Sequence, residues 1–410
     1  MVYFIVGIKG AALSALAKIL SDMGHIVRGV DVEEEFYTLN DKNHIQIESF
    51  SNMKLKKSYF YIIGNAYKNH SVARYIQKMK YYFLSYPDFL NYYFKNQKWI
   101  GVSGTSGKTT TTKMLSTLLP TCTSLIGDGT YRVGTGEYFI IESCEYKNTF
   151  LKYHPYISLV LNVNYDHVDF FKTKEEYEKS FIKFIQQSTL CIVNGDSLSY
   201  RNNNVITYGL DKTNDIPFSY HHGKVTLLRK TFTLPVLGIQ YAYDFVGAYL
   251  VAKLLDEKDF IIQQKMNQFI MPKRRFEKKE INTQLIISDY AHHPKEIDAI
   301  FHSLLEQYPS KKKICIFEPH TLTRLSYFLE EYKAILGQFD ECYLYPLFSS
   351  AREKHDILLE KQLYRELGFP IYEYIIQQRL IKEKNCVLCF LGAGVIDRAC
   401  NEYKRQISVD

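Results

Sequence analysis

The stretch WIGVSGTSGKTTTT, residues 99–112, joins a short apolar run, a glycine loop and a segment that can continue as a helix. It predicts a strand at Trp99–Val102 and a helix that runs to Leu119. Between the two, backbone N–H groups and the helix N-terminus would surround a phosphate. Lys108 would neutralise charge on the β- and γ-phosphates of a nucleotide, and the Thr109 hydroxyl would complete the shell of a Mg²⁺ ion. The stretch therefore predicts a site for ATP or a similar nucleotide.

The spacing of this loop differs from the strict phosphate-loop pattern, which needs a glycine where this chain has Val102. The motif is therefore G-T-x-G-K-T. A chance glycine turn is the weaker interpretation, because strand, glycines, lysine and helix follow one another in order. The residues predicted to contact ATP here are Gly104, Thr105, Ser106, Gly107, Lys108, Thr109 and Thr110.

Length and composition indicate a globular protein of two or three domains, because 410 residues exceed one ordinary core. The apolar runs are shorter than the roughly 18 residues of a membrane helix, so no membrane partner is expected. Eight irregularly spaced cysteines without an export signal are typical of reduced thiols in the cytoplasm. The net charge of +7 suits an anionic small substrate, although a solvated basic surface explains it equally well. The basic run Lys311–Lys313 is too short to indicate nucleic acid.

The chain divides into three α/β blocks, predicted at residues 1–97, 98–272 and 273–410. In the first, the strand Val2–Val6 leads through a glycine turn into a helix, and a second strand ends in Asp31. This pattern resembles the start of a dinucleotide fold. The G-x-G-x-x-G motif is absent, however, because Lys9 and Ala12 occupy the second and third glycine positions. Lys9 therefore suggests that the turn holds a diphosphate by charge as well as by backbone.

The second block contains two further strands that end in polar residues. One strand ends at Glu142, and the next leads to Asp166 and His167. Because ligands bind beyond the carboxyl ends of parallel strands, we expect these side chains on the same edge as Lys108. Oxygen ligands from Thr109 and Glu142 suit Mg²⁺. From this reasoning alone, His167 is equally a metal ligand or a histidine that caps the strand.

The third block repeats the pattern of strands that end in polar or glycine residues. A basic segment, Lys273–Arg275, precedes it and either reaches a phosphate or is simply solvated. The residues at the predicted strand ends are Asp289, His292, His320, Arg324 and Gly392.

These motifs together resemble those of one family. The segments GTSGKTTTT, IESCEY, LNVNYDH, KRRFE, SDYAHHPKEI, EPHTLTR, SSARE and FLGAG occur in the order found in the Mur ligases, over almost the whole chain. The opening segment resembles the form seen in low-GC Gram-positive bacteria. The resemblance implies a three-domain α/β architecture. A Rossmann-like UDP-sugar domain (1–97) would precede a central P-loop ATPase domain (98–272) and a Rossmann-like domain that binds the amino acid (273–410).

The resemblance also implies an activity and a role for each motif. The expected reaction is ATP-dependent joining of L-alanine to the lactyl carboxylate of UDP-N-acetylmuramate through an acyl phosphate, with Mg²⁺ as cofactor. A monomer or weak homodimer without nucleic-acid partners is expected. By resemblance, Lys108 and Arg275 would hold the γ-phosphate. Thr109 and Glu142 would bind one Mg²⁺ ion, and Glu142 with His167 would bind a second. Asp289 and His292 would serve the nucleotide and the acyl phosphate, and His320 and Arg324 would bind the alanine carboxylate. The residues expected to hold the UDP part are Gly7, Ile8, Lys9, Gly10 and Asp31.

Some positions depart from the family pattern. Ser106 and Ser288 replace a histidine and an aspartate, while Gln240 and Asp244 stand where the family has the histidine and asparagine that flank adenine. A divergent active enzyme is the first hypothesis. The alternatives are a related ligase that recycles whole peptides onto the same sugar, and a degenerate paralogue that binds the UDP-sugar without ligating it. A nicotinamide oxidoreductase is disfavoured by Lys9.

Overall fold

The computed structural model describes residues 1–32, 45–348 and 356–408, which form two compact α/β units. The first unit comprises Met1–Val163, Lys179–Pro217 and Asp244–Phe269, and the second comprises Asn164–Glu178, Phe218–Tyr243 and Ile270–Asp410. The three-block division of the chain stays a prediction.

The N-terminal part of the first unit is a parallel sheet with the order β3-β2-β1-β4-β5. Its strands are β1 (Val2–Val6), β2 (Ile26–Val30), β3 (Ile45–Glu48), β4 (Phe60–Ile63) and β5 (Phe83–Ser85), and its helices are α1 (Ala11–Asp22), α2 (Ser71–Lys78) and α3 (Tyr86–Tyr93). β2 and β3 extend the sheet on one side of β1, and β4 and β5 extend it on the other side. The turn after β1 therefore lies at the point where the strand order reverses, where open α/β sheets bind ligands.

The rest of the first unit contains a second sheet, with the strand order β12-β11-β10-β6-β9-β7-β8. Its strands are β6 (Lys98–Ser103), β7 (Thr123–Leu125), β8 (Tyr131–Arg132), β9 (Tyr138–Glu142), β10 (Ile157–Val160), β11 (Leu190–Asn194) and β12 (Val205–Gly209); the helices in or entering this part are α4 (Lys108–Leu118), α5 (Lys174–Gln186), α6 (Ile239–Leu254) and α7 (Asp259–Asn267). β6 lies between β9 and β10 and is parallel to both. The strand, loop and helix predicted around residues 99–112 are confirmed.

The second unit contains an antiparallel ribbon and a sheet with the order β16-β17-β20-β18-β19. The ribbon strands are β13 (Ile216–His221), whose first two residues belong to the first unit, β14 (Lys224–Leu227) and β15 (Lys230–Thr233). The sheet strands are β16 (Glu277–Ile281), β17 (Gln284–Asp289), β18 (Lys312–Phe317), β19 (Glu341–Leu344) and β20 (Cys386–Leu391). The helices are α8 (Pro294–Gln307), α9 (Leu322–Tyr327), α10 (Leu329–Leu336), α11 (Ile357–Leu367), α12 (Tyr374–Ile381) and α13 (Ile396–Ile407). Every residue of β17 and β20 is buried, as expected for central strands covered on both faces.

The cysteines behave as their spacing predicts. All eight are free thiols, and Cys386 and Cys389 are buried within β20. Over the described ranges, no helix is long and apolar enough to cross a membrane.

Candidate nucleotide and amino-acid sites

The loop between β6 and α4 has the backbone of a phosphate-binding turn. Gly104 has φ +145° and Gly107 has φ +83°, which are conformations that residues with a Cβ rarely adopt. A Cβ on Gly104 would lie 3.1 Å from the backbone nitrogen of Asn162. Gly107 directly precedes α4, so the first N–H groups of that helix open at the loop.

Asn162, which lies just after β10, is hydrogen-bonded to this loop. Its backbone oxygen accepts a hydrogen bond from the Thr105 N–H at 3.0 Å, and its Oδ1 accepts one from the Ser106 N–H at 2.9 Å. Its Nδ2 donates to the Ser106 oxygen at 3.0 Å. No role was predicted for Asn162 from the sequence. Its position just after a strand beside β6 was the available signal.

Lys108 lies inside the loop and is paired with a buried carboxylate. Its Nζ donates to the Gly104 oxygen, to the Thr105 oxygen at 3.1 Å and to Glu145 Oε2 at 3.0 Å. Burial opposes the ammonium charge, but the carboxylate of Glu145 more than compensates and the pKa of Lys108 is raised. Lys108 therefore carries its charge inside this loop, and its contact with a phosphate stays a prediction. The role of Glu145 as its partner was missed from sequence.

Glu142, the last residue of β9, is fixed by the loop after β7. Its Oε1 accepts a hydrogen bond from the Gly127 N–H at 2.5 Å, and a Cβ on Gly127 would overlap both carboxylate oxygens. Thr109 lies buried in the first turn of α4, in the same unit. A hydroxyl and a carboxylate are oxygen donors that suit Mg²⁺ together with nucleotide phosphates. Within the described ranges, no group of three or more His, Cys, Asp or Glu side chains could hold a metal ion without such added ligands.

His167 belongs to the second unit, so its predicted place beside Glu142 stays a prediction. Its backbone has φ +54°, and its Nε2 lies 3.9 Å from Asp166 Oδ2.

The two residues predicted to flank adenine have different surroundings. Asp244 is buried against the phosphate loop, where a Cβ on Gly107 would overlap its carboxylate. Gln240 belongs to the second unit, and its Nε2 donates to Ser303 Oγ at 2.7 Å and to the Ala299 oxygen at 3.3 Å. The amide donor of Gln240 is thus already engaged within that unit, and its contact with adenine stays a prediction.

The turn after β1 is held by the acid that ends β2. Gly7 has φ +90°, and the Lys9 N–H donates to Asp31 Oδ2 at 2.7 Å. The Tyr67 hydroxyl donates to the other carboxylate oxygen of Asp31 at 2.5 Å. The Ile8 side chain is buried, so this residue can offer a ligand its backbone alone.

In the second unit, Asp289 and Arg275 lie at the end of β17. Asp289 accepts hydrogen bonds from the N–H groups of Phe276 and Ala291 at 2.6 and 2.7 Å. Burial raises the pKa of this carboxyl to about 6, although the Arg275 charge and the two N–H groups act in the opposite direction. The Arg275 guanidinium lies over the Tyr290 ring at 4.8 Å. The structure thus places an arginine close to a buried acid, and the roles predicted for Arg275 and Asp289 stay predictions.

His292 is a neutral histidine at neutral pH. Burial lowers its pKa to about 4, although the Glu296 carboxylate partly opposes this shift. Its Nδ1 lies 3.0 Å from the Tyr290 oxygen. Because a carbonyl oxygen can only accept, Nδ1 must carry the proton and donate.

His320 and Arg324 line a cavity together with the residues around His167. The lining residues are Asp166, His167, Val168, Asp169, His320, Thr321, Thr323 and Arg324. Arg324 forms a bidentate ion pair with Asp166, with Nε–Oδ1 and Nη2–Oδ2 distances of 2.9 and 3.1 Å. The pair is buried, and despite that burial the Arg324 charge holds the pKa of Asp166 well below its usual range. The SSARE segment, Ser349–Glu353, lies outside the described residues.

Known proteins resemble this chain over its full length. The family model for the Mur ligase middle domain matches residues 129–252. The UDP-N-acetylmuramate–L-alanine ligase of Streptococcus gordonii is 33% identical over 99% of this chain and 98% of that protein. The ligase of the same name from Limosilactobacillus reuteri is 32% identical over 99% of both chains.

Two solved structures share the fold. The UDP-N-acetylmuramate–alanine ligase of Thermotoga maritima superposes with a TM-score of 0.79 at 20% identity, over 100% of both chains. A murein peptide ligase of Psychrobacter arcticus reaches a TM-score of 0.70 at 17% identity, over 100% of this chain and 99% of that one. The family and the α/β fold class predicted from the motifs are confirmed.

Proposed function

The chain belongs to the UDP-N-acetylmuramate–L-alanine ligases of the Mur ligase family, and we propose that it joins L-alanine to the lactyl carboxylate of UDP-N-acetylmuramate at the expense of ATP. This reaction would supply precursors for peptidoglycan. The observation that supports it most is the glycine loop before α4, in which Lys108 is charged and held by the Thr105 carbonyl and the Glu145 carboxylate. Such a charge is what the transfer of a phosphoryl group to a carboxylate requires.

The proposed reaction has two steps. An oxygen of the lactyl carboxylate attacks the γ-phosphorus, the bond to the β–γ bridging oxygen breaks, and ADP leaves. The amine of alanine then attacks the acyl carbon of the acyl phosphate; a proton and inorganic phosphate leave as the amide forms. Both steps bring anions together, so positioning and charge neutralisation are the main catalytic contributions.

Residues of the glycine loop, together with Arg275, the Mg²⁺ ligands, Asp289 and His292, would provide the positioning and the charge neutralisation. Lys108 and Arg275 would hold the γ-phosphate, and Gly104–Thr110 would donate backbone N–H groups to the nucleotide. Thr109, Glu142 and His167 would hold Mg²⁺, which screens phosphate charge when bound. Asp289 and the neutral His292 would act by hydrogen bonding near the nucleotide and acyl phosphate.

The remaining roles follow the same proposal. The turn at Gly7–Gly10 and Asp31 would hold the UDP part of the sugar nucleotide. We further propose a monomer or weak homodimer in the cytoplasm, with no nucleic-acid or membrane partner. Size-exclusion chromatography with light scattering would measure the oligomeric state.

Phosphate release from ATP, with UDP-N-acetylmuramate present, is the decisive assay. We expect release with free L-alanine and little with the tripeptide L-alanyl-γ-D-glutamyl-meso-diaminopimelate, the acceptor named for another structural relative of this chain. Preference for the tripeptide would assign a peptide-recycling ligase instead. Binding of the UDP-sugar without phosphate release from any acceptor would assign a degenerate paralogue.

A further inference from the structure

The ammonium group of Lys108 has three partners within the protein. Nζ donates to the backbone oxygens of Gly104 and Thr105, the second at 3.1 Å. It also contacts both carboxylate oxygens of Glu145, Oε2 at 3.0 Å and Oε1 at 3.3 Å. An ammonium group has three N–H donors and no acceptor. A phosphate oxygen that accepts a full hydrogen bond from Lys108 must therefore replace one of these three partners.

The three partners respond differently to an incoming phosphate. The carbonyl groups of Gly104 and Thr105 carry no net charge. The Glu145 carboxylate is an anion, and its side chain is only 1% exposed, so water screens its repulsion of a phosphate little. Lys108 and Glu145 together have no net charge, so the pair attracts an anion weakly. A phosphate that binds Lys108 therefore competes with Glu145 above all.

The backbone that carries Glu145 is held by a strained turn. Lys147 and Asn148 have φ +53° and +56°, values that are uncommon for residues other than glycine. The Asn148 N–H donates to the Glu145 oxygen at 2.9 Å, and Ser180 Oγ donates to Asn148 Oδ1 at 2.5 Å. Strain of this kind persists only where the surrounding structure enforces it, and it is common at functional sites. The side chain of Glu145, rather than its backbone, is therefore the part that can leave Lys108.

We propose that Glu145 is a positioning residue that holds Lys108 in the glycine loop through one N–H donor, and that the γ-phosphate of ATP takes this donor over from it. The two loop carbonyls keep their bonds, so Lys108 stays in place and changes only its anionic partner. The exchange costs free energy, because Glu145 loses its ion pair and then lies close to phosphate charge. Glu145 therefore weakens the binding of ATP, and it does so through its charge. This inference rests on the proposed function.

Nucleotide binding tests this exchange without any activity. Isothermal titration calorimetry would use the non-hydrolysable β,γ-imido analogue of ATP with Mg²⁺, in the absence of sugar nucleotide and alanine. Glu145→Gln keeps the size of the side chain and removes its charge, so the Kd of the analogue should fall about three- to tenfold. An unchanged or higher Kd in folded Glu145→Gln would overturn the proposal. ADP lacks the γ-phosphate, so its Kd should fall less than that of the analogue, and an equal fall would overturn the assignment to the γ-phosphate.

Two further variants separate charge from packing. Glu145→Asp keeps the negative charge, so it should bind the analogue within about twofold of the wild type. Binding as tight as that of Glu145→Gln would show that the shape of the side chain matters rather than its charge, and would also overturn the proposal. Glu257→Gln is the matched control, because Glu257 pairs with Lys265 at 3.2 Å in the same unit. This control should keep the Kd of the wild type.

Steady-state kinetics separates this role from a structural one. In Glu145→Gln the KM for ATP should fall by a factor similar to that of the Kd, without a rise in kcat. A variant that merely loses structure would instead show a lower kcat with an unchanged or higher KM, and that result would count against the proposal. Should the variants bind the nucleotides as expected while the wild type ligates no alanine, the proposed function would be refuted and the exchange at Lys108 would stand.

Discussion

At the scale of single residues, the proposed nucleotide site depends on how Lys108 is held. Its ammonium contacts two loop carbonyls and the buried Glu145, so the charge is already positioned before a nucleotide arrives. A preorganised charge costs little reorganisation during the reaction, which is why such groups contribute strongly to catalysis.

Replacing Lys108 tests this directly. Lys108→Ala should lower kcat by about a hundredfold or more, as expected for the loss of one electrostatic donor to the transferring phosphoryl group. Initial rates of phosphate release at saturating substrates measure the effect. Lys113→Ala is the control, because Lys113 lies on the same helix and its Nζ is 3.7 Å from Asp128 in a weak ion pair. Near-normal turnover of purified, folded Lys108→Ala would refute the assigned role.

Asp244 gives a second prediction at this scale. An ionised carboxylate beside the loop can only accept hydrogen bonds, and it repels phosphate oxygens. An asparagine could both donate and accept there. We therefore expect Asp244→Asn to lower the KM for ATP by several-fold, measured by titrating ATP at fixed sugar nucleotide and alanine. Asp259→Asn, which removes a carboxylate hydrogen-bonded to Tyr249 in the same unit, is the control. An unchanged or higher KM would mean that Asp244 does not face the nucleotide.

At the scale of elements, the sequence predicts strands, strand ends and the loop well. The apolar runs before Lys108, Glu142 and Asp289 are indeed strands, because a run buried on both faces has few other conformations. The partners of those residues were not predictable. Glu145 and Asn162 lie 37 and 56 positions from the loop residues they contact, and only tertiary packing brings them there.

The short connection after β7 determines where the carboxylate of Glu142, at the end of β9, lies. The backbone of Gly127 contacts the Glu142 side chain, and a Cβ on Gly127 would overlap the Glu142 carboxylate. Gly127→Ala should therefore displace the carboxylate at small cost in stability. If Glu142 binds Mg²⁺, the Mg²⁺ concentration for half-maximal activity should rise several-fold.

The control for Gly127→Ala is Gly247→Ala, which introduces a comparable close contact elsewhere. A Cβ on Gly247, in the same unit, would lie 2.9 Å from a methyl group of Leu159, and the atoms nearest to it belong to Leu159 and Tyr208 rather than to Glu142. This variant should keep the wild-type Mg²⁺ requirement. An unchanged requirement in Gly127→Ala, with its fold intact, would count against Glu142 as a metal ligand.

At the scale of the whole molecule, the motif order predicted the family and the α/β class, which are confirmed, whereas the three-block division stays a prediction. Segments distant in sequence share each unit: residues 164–178 belong with the C-terminal unit although β10 and β11, on either side of them, belong to the first. Periodicity and motifs indicate local structure, whereas the unit that a segment such as residues 164–178 joins depends on long-range packing. The same holds for buried charge, because burial of Glu318 could not be derived from the motif EPHTLTR.

That buried acid makes the stability of the protein depend on pH. Glu318 is fully buried, and burial raises its pKa from 4.5 to about 7, although backbone N–H groups of Ile396 and Val395 oppose the shift. The folded state therefore holds the proton more tightly than the unfolded state. The resulting stability is fully present below pH 4.5 and is lost as the pH rises to about 7.

Glu318→Gln removes this dependence, because an amide does not titrate. Whatever constant effect the amide has, the free energy of unfolding of the variant relative to the wild type should increase by about 2–3 kcal/mol between pH 5 and pH 8. Urea unfolding followed by far-ultraviolet circular dichroism at both pH values measures it. Glu341→Gln is the control, since its carboxyl has a pKa lowered to about 2 and is ionised at both pH values. A difference between variant and wild type that is the same at pH 5 and pH 8 would show that Glu318 is ionised in the folded protein throughout this range.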